Sequence, residues 1–134
     1  MKNYSMLEVE TRKREEFIDI TDLVQKKIND MGLKDGFLLL YVPHTTAGLL
    51  INENADPDVL KDISGYLSDL VPRDNGYLHS EGNSDAHIKA TFVGISKHLI
   101  VREGKIVLGR WQGIFFGEFD GPRLRKVMMG FSEA

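Results

Sequence analysis

The 134-residue sequence predicts an α+β fold, a mainly antiparallel β-sandwich with two main helices. Three observations support this prediction. Strand-like apolar runs lie near both ends of the chain. Two segments between them repeat apolar residues at helical spacing. The last third alternates short strand-like runs with turns that contain glycine, as antiparallel sheets do. With no repeat or linker in the sequence, we expect a single domain over residues 1–134.

The first third of the chain predicts a strand followed by a helix. Residues 3–11 mix apolar and polar side chains, which indicates a half-buried strand. The charged run of residues 11–16 is interpreted as a solvated turn or edge. Thr21 is a plausible N-cap, and Gly32 is the expected C-terminal end of the helix. The predicted apolar face of this helix comprises Leu23, Val24, Lys27, Ile28 and Met31.

A second strand and a second helix follow. Residues 37–42 form an unbroken apolar run, which suggests a strand buried on both faces. Asp56 is a good helix N-cap, and Pro57 stands at the first helical position, where proline is tolerated. The helical apolar face then comprises Val59, Leu60, Ile63, Leu67 and Leu70.

The second half of the chain predicts a long loop and then antiparallel strands. Residues 72–85 form the longest polar stretch, and loops of this length are often functional or mobile. Asp85 is interpreted as the cap of a short helix over residues 86–90, with a strand as the alternative. The expected strands are 98–102, 106–108, 111–119 and 123–131.

Composition restricts the functional classes. A net charge of −3, from 17 basic and 20 acidic residues, argues against a general nucleic-acid binder. No apolar run has the roughly 20 residues of a membrane helix, and the N-terminus lacks the apolar segment of a secretory signal. The absence of cysteine excludes disulfides and thiolate zinc sites. We expect a cytoplasmic protein with neither a membrane nor a nucleic-acid partner.

Three histidines from separate segments are the candidate metal ligands. His44 follows the strand of residues 37–42, His79 lies in the long loop, and His87 follows eight residues later. Three imidazoles can hold zinc and leave a position open for substrate. Each histidine taken singly is more often a surface or hydrogen-bonded residue. Glu53 has no evident capping role, so it could orient a ligand or transfer protons beside the cluster.

A pair of arginines is the candidate anion site. Strand alternation places Arg123 and Arg125 on the same face, where two guanidinium groups suit a phosphate or carboxylate. A salt bridge between Asp120 and an arginine at a turn is an equally good interpretation. Trp111 and Gln112 are expected either to line a pocket or to belong to the core or an interface.

With these residues assembled, the chain resembles the YjbQ-like family, whose members are described as secondary thiamine-phosphate synthases. The matching motifs span nearly the whole chain: Pro43–Ala47, Asn52–Pro57, Ala86–Ala90, Gly109–Gln112 and Glu118–Arg123. The resemblance implies an α+β fold built on a β-sandwich, assembly as a homotrimer, and a metal-binding cluster of His44, His79 and His87. It also implies zinc as the metal, or magnesium with a diphosphate substrate.

The implied reaction is a transfer that joins hydroxymethylpyrimidine diphosphate to a thiazole phosphate. On this hypothesis Glu53 and Arg123 are catalytic, because a metal ion and arginines would neutralise the departing diphosphate. The residues expected to contact a small phosphorylated substrate are Thr45, Thr46, Asn52, Lys89, Ser96, Trp111, Gln112 and Arg125. The alternatives are a metal-dependent hydrolase of a small phosphorylated substrate and a non-catalytic trimer that binds an anion.

Overall fold

The computed structural model describes residues 3–134, and over that range it contains eight strands and three helices. The strands are β1 (Tyr4–Glu10), β2 (Glu16–Asp19), β3 (Gly36–Tyr41), β4 (Ala47–Glu53), β5 (Ser96–Arg102), β6 (Lys105–Ile106), β7 (Gln112–Glu118) and β8 (Leu124–Glu133). The helices are α1 (Thr21–Met31), α2 (Pro57–Leu70) and α3 (Ser84–Val93). None of these helices has the length and apolar composition that crossing a lipid bilayer requires.

Two antiparallel sheets form the framework. One has five strands in the order β1-β8-β3-β5-β6, and the other has three in the order β2-β7-β4. A single hydrophobic cluster joins the inward faces of both sheets to α1. Its largest members include Leu38, Leu40, Leu49, Ile114, Phe116 and Ile28. The predicted fold class, α+β with a mainly antiparallel sandwich, is confirmed.

The burial of β3 differs from the expectation. Its residues alternate, with Leu38 and Leu40 fully buried and Phe37 and Tyr41 exposed by 59% and 41%. The continuous apolar run therefore covers one core face and one outward face, because successive strand residues point to opposite sides. The outer face of the five-stranded sheet is consequently rich in apolar groups.

The first two helices begin as local chemistry dictates, with one correction. Asp56 caps α2 by accepting the Asp58 backbone N–H at 2.9 Å, and Pro57 is the first helical residue, as predicted. Thr21 is not the N-cap of α1. Its hydroxyl accepts the Ile114 N–H of β7, and its own N–H is accepted by Asp19 at 2.9 Å. The residue thus ties the start of α1 to the three-stranded sheet.

Strand β2 was missed because its sequence follows a charged run. The segment interpreted as a solvated turn or edge ends in Glu16, which begins β2 at the edge of the three-stranded sheet and pairs with Glu118 of β7. Neighbouring charges are also tied into the structure, since Glu16 accepts two backbone N–H groups of the preceding turn. Tertiary pairing therefore overrides the local polarity of the sequence.

Helix α3 is longer than the predicted helix, and its capping differs. It starts after Asn83, and Asp85 lies fully buried in its first turn, where it pairs with Arg14. The C-terminal end of α3 approaches β4 closely: Leu49 N–H donates to the Gly94 carbonyl at 2.9 Å. Gly48 permits this approach, because a Cβ there would lie 2.6 Å from the same carbonyl oxygen. The packing of α3 on β4 determines where His87 lies.

Candidate functional site

The main cluster of polar side chains lies where β3 ends, β4 begins, α3 starts and the chain enters β8. These elements enclose an open cavity of about 390 Å³, which we call the polar crevice. Its lining comprises Pro43, His44, Thr45, Thr46, Glu81, Asn83, His87, Asp120, Arg123 and Arg125. Six of the residues predicted from the sequence to form the site lie here: His44, Thr45, Thr46, His87, Arg123 and Arg125.

His44 is held in a single hydrogen-bonding state by a neighbouring strand. Its Nε2 accepts the backbone N–H of Lys126 in β8 at 2.9 Å. An imidazole nitrogen that accepts a hydrogen bond carries no proton, so the ring is neutral and its proton resides on Nδ1. His44 therefore offers an N–H donor from its other nitrogen.

The charges around His44 are mostly positive. Burial is the largest cause that lowers the pKa of this imidazole from its usual 6.5. Three cationic groups lower the pKa further and one carboxylate raises it: Arg125, Lys126 and Arg123 against Glu118. Burial and these cations together thus disfavour a positive charge on His44.

A buried ion pair forms the floor of the polar crevice. Glu118 of β7 is fully buried and binds Arg125 of β8 through Nε at 2.9 Å and through the second nitrogen Nη2 at 2.5 Å. Burial raises the pKa of the Glu118 carboxyl, but the hydrogen bonds and charge of Arg125 and the Thr11 hydroxyl outweigh it, so that the pKa is lowered. Thr46 accepts from the same guanidinium at 2.9 Å. The pair joins the two sheets at one end of the core.

The rim of the crevice carries a second, more open pair. Arg123 is half-exposed and donates to the backbone carbonyl and the carboxylate of Asp120 at 2.8 and 3.0 Å. Asn83 also contacts Asp120, because its amide nitrogen donates to the Asp120 carboxylate at 2.9 Å. Asn83 Oδ1 is buried and accepts no hydrogen bond within residues 3–134. A buried acceptor without a donor is costly, so Asn83 is held here at some cost in stability.

A second cavity adjoins the first. It has about 450 Å³, and we call it the apolar crevice. His44, Thr45 and His87 line both cavities. The remaining lining, Ala90, Thr91, Gly94 and Ile95, continues the face of α3 from His87 at spacings of three, four and seven residues and then passes into the turn before β5. The two imidazoles therefore stand between a polar and an apolar compartment.

The structure places four of the predicted site residues away from the polar crevice. Asn52, Glu53, Trp111 and Gln112 lie at the other end of the three-stranded sheet, where Glu53 pairs with Gln112. The seven residues of β4 separate the two ends by about 20 Å. Glu53 accepts the Asp56 N–H at 3.2 Å, and Trp111 stacks near Arg110, 4.7 Å from ring centroid to guanidinium carbon. Within a single chain, these four side chains therefore lie far from His44 and His87.

Two further predicted residues also lie elsewhere. Lys89 is buried on another face of α3, where its ammonium group contacts Glu15 at 2.6 Å and Asp85 at 3.6 Å. Ser96 starts β5 beside Tyr41, on the outward face of the five-stranded sheet. Their expected roles in binding substrate stay predictions.

The predicted three-histidine metal site is wrong for the described part of the chain. Within residues 3–134, no group of three or more His, Asp or Glu side chains is placed to hold a metal ion. His79 and His87 contact each other edge to face, with ring centroids 5.4 Å apart, and His79 lies 3.8 Å from Glu81. His44 meanwhile directs Nε2 to a backbone amide. The expectation of bound zinc or magnesium loses the ligand set on which it rested.

Sequence reasoning missed two participants in the site. Asn83 was treated as a loop residue, and Glu118 was quoted in a motif without a role. Asp120 was anticipated as a salt-bridge partner of an arginine, and the structure contains that salt bridge, with Arg123. The burial of Asn83 depends on the turn before β8, 37 residues away, which no local pattern reveals. Glu118 carried a weak signal, since a lone carboxylate within the apolar run of residues 114–119 needs a partner if it is buried.

Comparisons with known proteins agree on one family. A family model described as UPF0047 protein YjbQ-like matches residues 5–134. A UPF0047 protein of Methanocaldococcus jannaschii is 55% identical over 89% of this chain and 86% of its own length. The UPF0047 protein YugU of Bacillus subtilis is 50% identical over 92% of this chain and 97% of its own.

Solved structures give the same result. The crystal structure of an uncharacterized conserved YjbQ/UPF0047 family protein from Clostridium acetobutylicum has a TM-score of 0.91 and 49% identity, covering 96% of this chain and 99% of that one. A protein of unknown function from Sulfolobus solfataricus, described as YbjQ-like, also has a TM-score of 0.91, at 34% identity, covering 98% of this chain and 96% of that one.

These comparisons correct the predicted activity. The relatives are named by family alone, and the Sulfolobus structure is described as a protein of unknown function. Those names contain neither a transferase nor thiamine biosynthesis, and the metal centre that the predicted reaction required is not formed by the described residues. The thiamine-phosphate synthase prediction is therefore wrong on these findings.

Proposed function

The chain belongs to the UPF0047 YjbQ-like family, and from its own crevice we propose that it binds a small phosphorylated molecule there. The observation that carries this proposal is the convergence of Arg123 and the neutral His44 donor on one cavity. The relatives' names supply no activity, so the argument rests on the chemistry of these side chains.

Charge supports an anionic ligand. Arg123 stands half-exposed at the rim, and two of its donors are already directed by Asp120, which fixes the orientation of the guanidinium plane. A pre-oriented guanidinium suits phosphate, because its planar donors match two oxygens at once. Arg125, Lys126 and Arg123 each lower the pKa of His44, as positive charge beside an imidazole does, and Glu118 raises it.

Hydrogen bonding supports a phosphate ester in preference to a simple halide. His44 Nδ1–H and the exposed Thr45 hydroxyl can donate to phosphate oxygens. A ligand with several acceptor oxygens therefore suits these two donors.

The test is a titration of the protein with methyl phosphate, using calorimetry and NMR shift mapping. We expect saturable binding with shifts at His44, Thr45 and His87, and no binding of methanol at the same concentrations. Replacing Arg123 by Gln should weaken the affinity about tenfold or more, since a hydrogen bond to a charged group contributes about 1.5–3 kcal/mol.

Arg102→Gln is the matched control, because Arg102 is an exposed arginine at the end of β5 outside the crevice. It should bind methyl phosphate as the wild type does. Absence of methyl phosphate binding to the wild-type protein, or equal affinity of wild type and Arg123→Gln, contradicts the proposal. Thermal unfolding of each variant checks that the fold is retained.

A further inference from the structure

The apolar crevice is a second compartment next to the phosphate site, and the polar interactions described above do not use it. Its lining is Ala90, Thr91, Gly94 and Ile95 together with the shared wall of His44, Thr45 and His87. Each compartment, at about 390 and 450 Å³, is in the size range of a small-molecule pocket. An inorganic phosphate ion would fill only part of either crevice.

The two compartments differ in the charged side chains that line them. The polar crevice carries two arginines, two carboxylates and an amide, whereas the residues that only the apolar crevice contains include no charged side chain. Ile95 is 39% exposed, and Ala90 is almost fully buried beneath the cavity. Apolar surface that remains in contact with water at the edge of a polar site favours a ligand group that covers it.

The shared wall determines where the two parts of such a ligand meet. His44, Thr45 and His87 contact both compartments, so a molecule anchored at Arg123 passes the imidazole rings before it reaches Ile95. His87 is directed along the α3 face that Ala90, Thr91 and Gly94 continue. An unbranched connection between the phosphate and an apolar group fits this path.

We infer that the ligand is a phosphate monoester whose organic part is a small alkyl or aryl group, bound in the apolar crevice against Ile95 and α3. This inference rests on the proposed phosphate site and adds the chemical class of the rest of the molecule. The hydrophobic effect supplies the discrimination, because burying a four-carbon or six-carbon group removes apolar surface from water in proportion to its area.

The experiment compares methyl, butyl and phenyl phosphate with the wild-type protein. We expect butyl and phenyl phosphate to bind about tenfold more tightly than methyl phosphate, with additional NMR shifts at Thr91, Gly94 and Ile95. The variant Ile95→Asp places a carboxylate on the apolar wall. It should remove the advantage of the longer esters over methyl phosphate, because repulsion between the carboxylate and the phosphate acts on all three esters alike and cancels in their ratio.

Val107→Asp is the control, because Val107 is a β-branched residue of similar exposure, 43%, outside both crevices. It should leave all three affinities unchanged. Equal affinities of the three esters for the wild type overturn the inference, as does an Ile95→Asp variant that retains the preference for phenyl phosphate. Failure of the phosphate site itself is seen separately, as methyl phosphate binding that is absent or does not depend on Arg123.

Discussion

His44 owes its protonation state to a backbone amide on a distant part of the chain. The Lys126 N–H occupies Nε2, and burial with neighbouring cations lowers the pKa of the ring. Asn83 shows the same dependence on tertiary structure, since its amide is oriented by Asp120 while its oxygen stays unpaired. Single residues of the site are therefore defined by partners that lie 37 to 82 positions away in the sequence.

The first prediction concerns the titration of His44. NMR titration of the ring should give a pKa below 6.5, with Nδ1 as the protonated nitrogen of the neutral form. Because the folded state binds this proton less readily than the unfolded chain does, the contribution of His44 to stability is complete above about pH 6.5. It should be lost as the pH falls through the lower, folded pKa.

The variant His44→Gln provides the control, since a glutamine oxygen can still accept the Lys126 N–H but does not titrate in this range. Urea unfolding of wild type and variant between pH 7 and pH 5 should show a smaller pH dependence for the variant. A His44 pKa at or above 6.5, or identical pH profiles for the two proteins, contradicts this account.

At the scale of elements, α3 is fixed by charge on one side and by packing on another. Asp85 is fully buried, and Arg14 binds both of its oxygens at 3.0 and 3.1 Å. Lys89, one turn later, joins the same network through Glu15. Gly48 admits the end of the helix against β4. Together these contacts determine the rotation of α3 and hence the direction of His87.

The prediction at the scale of elements concerns how far the substitution Asp85→Asn lowers the free energy of unfolding. Removing the charge of the buried Asp85 leaves Arg14 and Lys89 to share Glu15, so we expect the free energy of unfolding to fall by about 3 kcal/mol. Asp62→Asn on the exposed side of α2 is the matched control and should change it by less than about 0.5 kcal/mol. Urea unfolding at pH 7 measures both changes.

The same variant has a defined pH dependence. Burial raises the pKa of the Asp85 carboxyl, but the hydrogen bonds and charge of Arg14 and the charge of Lys89 outweigh it and hold the pKa below 3.8. The stabilisation by Asp85 is thus present above about pH 4 and is lost as the pH falls through the folded pKa. The difference between wild type and Asp85→Asn should shrink between pH 4 and pH 3. A difference that stays constant over this range would argue against a charged Asp85.

The elements also show how far sequence patterns reach. Helices α1 and α2 were predictable because their signals are local: an apolar face, Pro57 after the Asp56 cap, and Gly32 in the left-handed conformation at the end of α1. Strand β2 was not, because its pairing with β7 comes from residues about 100 positions away. Of the candidate site, the segment around His44 and the arginines was found. Their partners, Asn83 and Glu118, required the fold.

At the scale of the whole molecule, the Glu118–Arg125 pair links the three-stranded sheet to the five-stranded sheet directly beneath the polar crevice. The crevice therefore lies on the seam between the two sheets. The predicted site residues at the far end of β4 lie about 20 Å from this seam.

The last prediction is the homotrimer that the family resemblance implies. The outer face of the five-stranded sheet is its expected contact surface, because β3 and β5 expose neighbouring apolar residues there: Phe37 (59%), Ile100 (53%), Tyr41 (41%) and Leu39 (38%). An apolar patch of adjacent side chains on a sheet face is unusual for a monomer.

Sedimentation should give three times the chain mass of 15.2 kDa. Leu39→Glu, which places a charge at the centre of this face, should dissociate the assembly. Leu78→Glu, at a fully exposed loop position, should leave it intact. A wild-type protein that sediments as a monomer, or a Leu39→Glu variant that remains trimeric, would show that the five-stranded sheet does not mediate assembly.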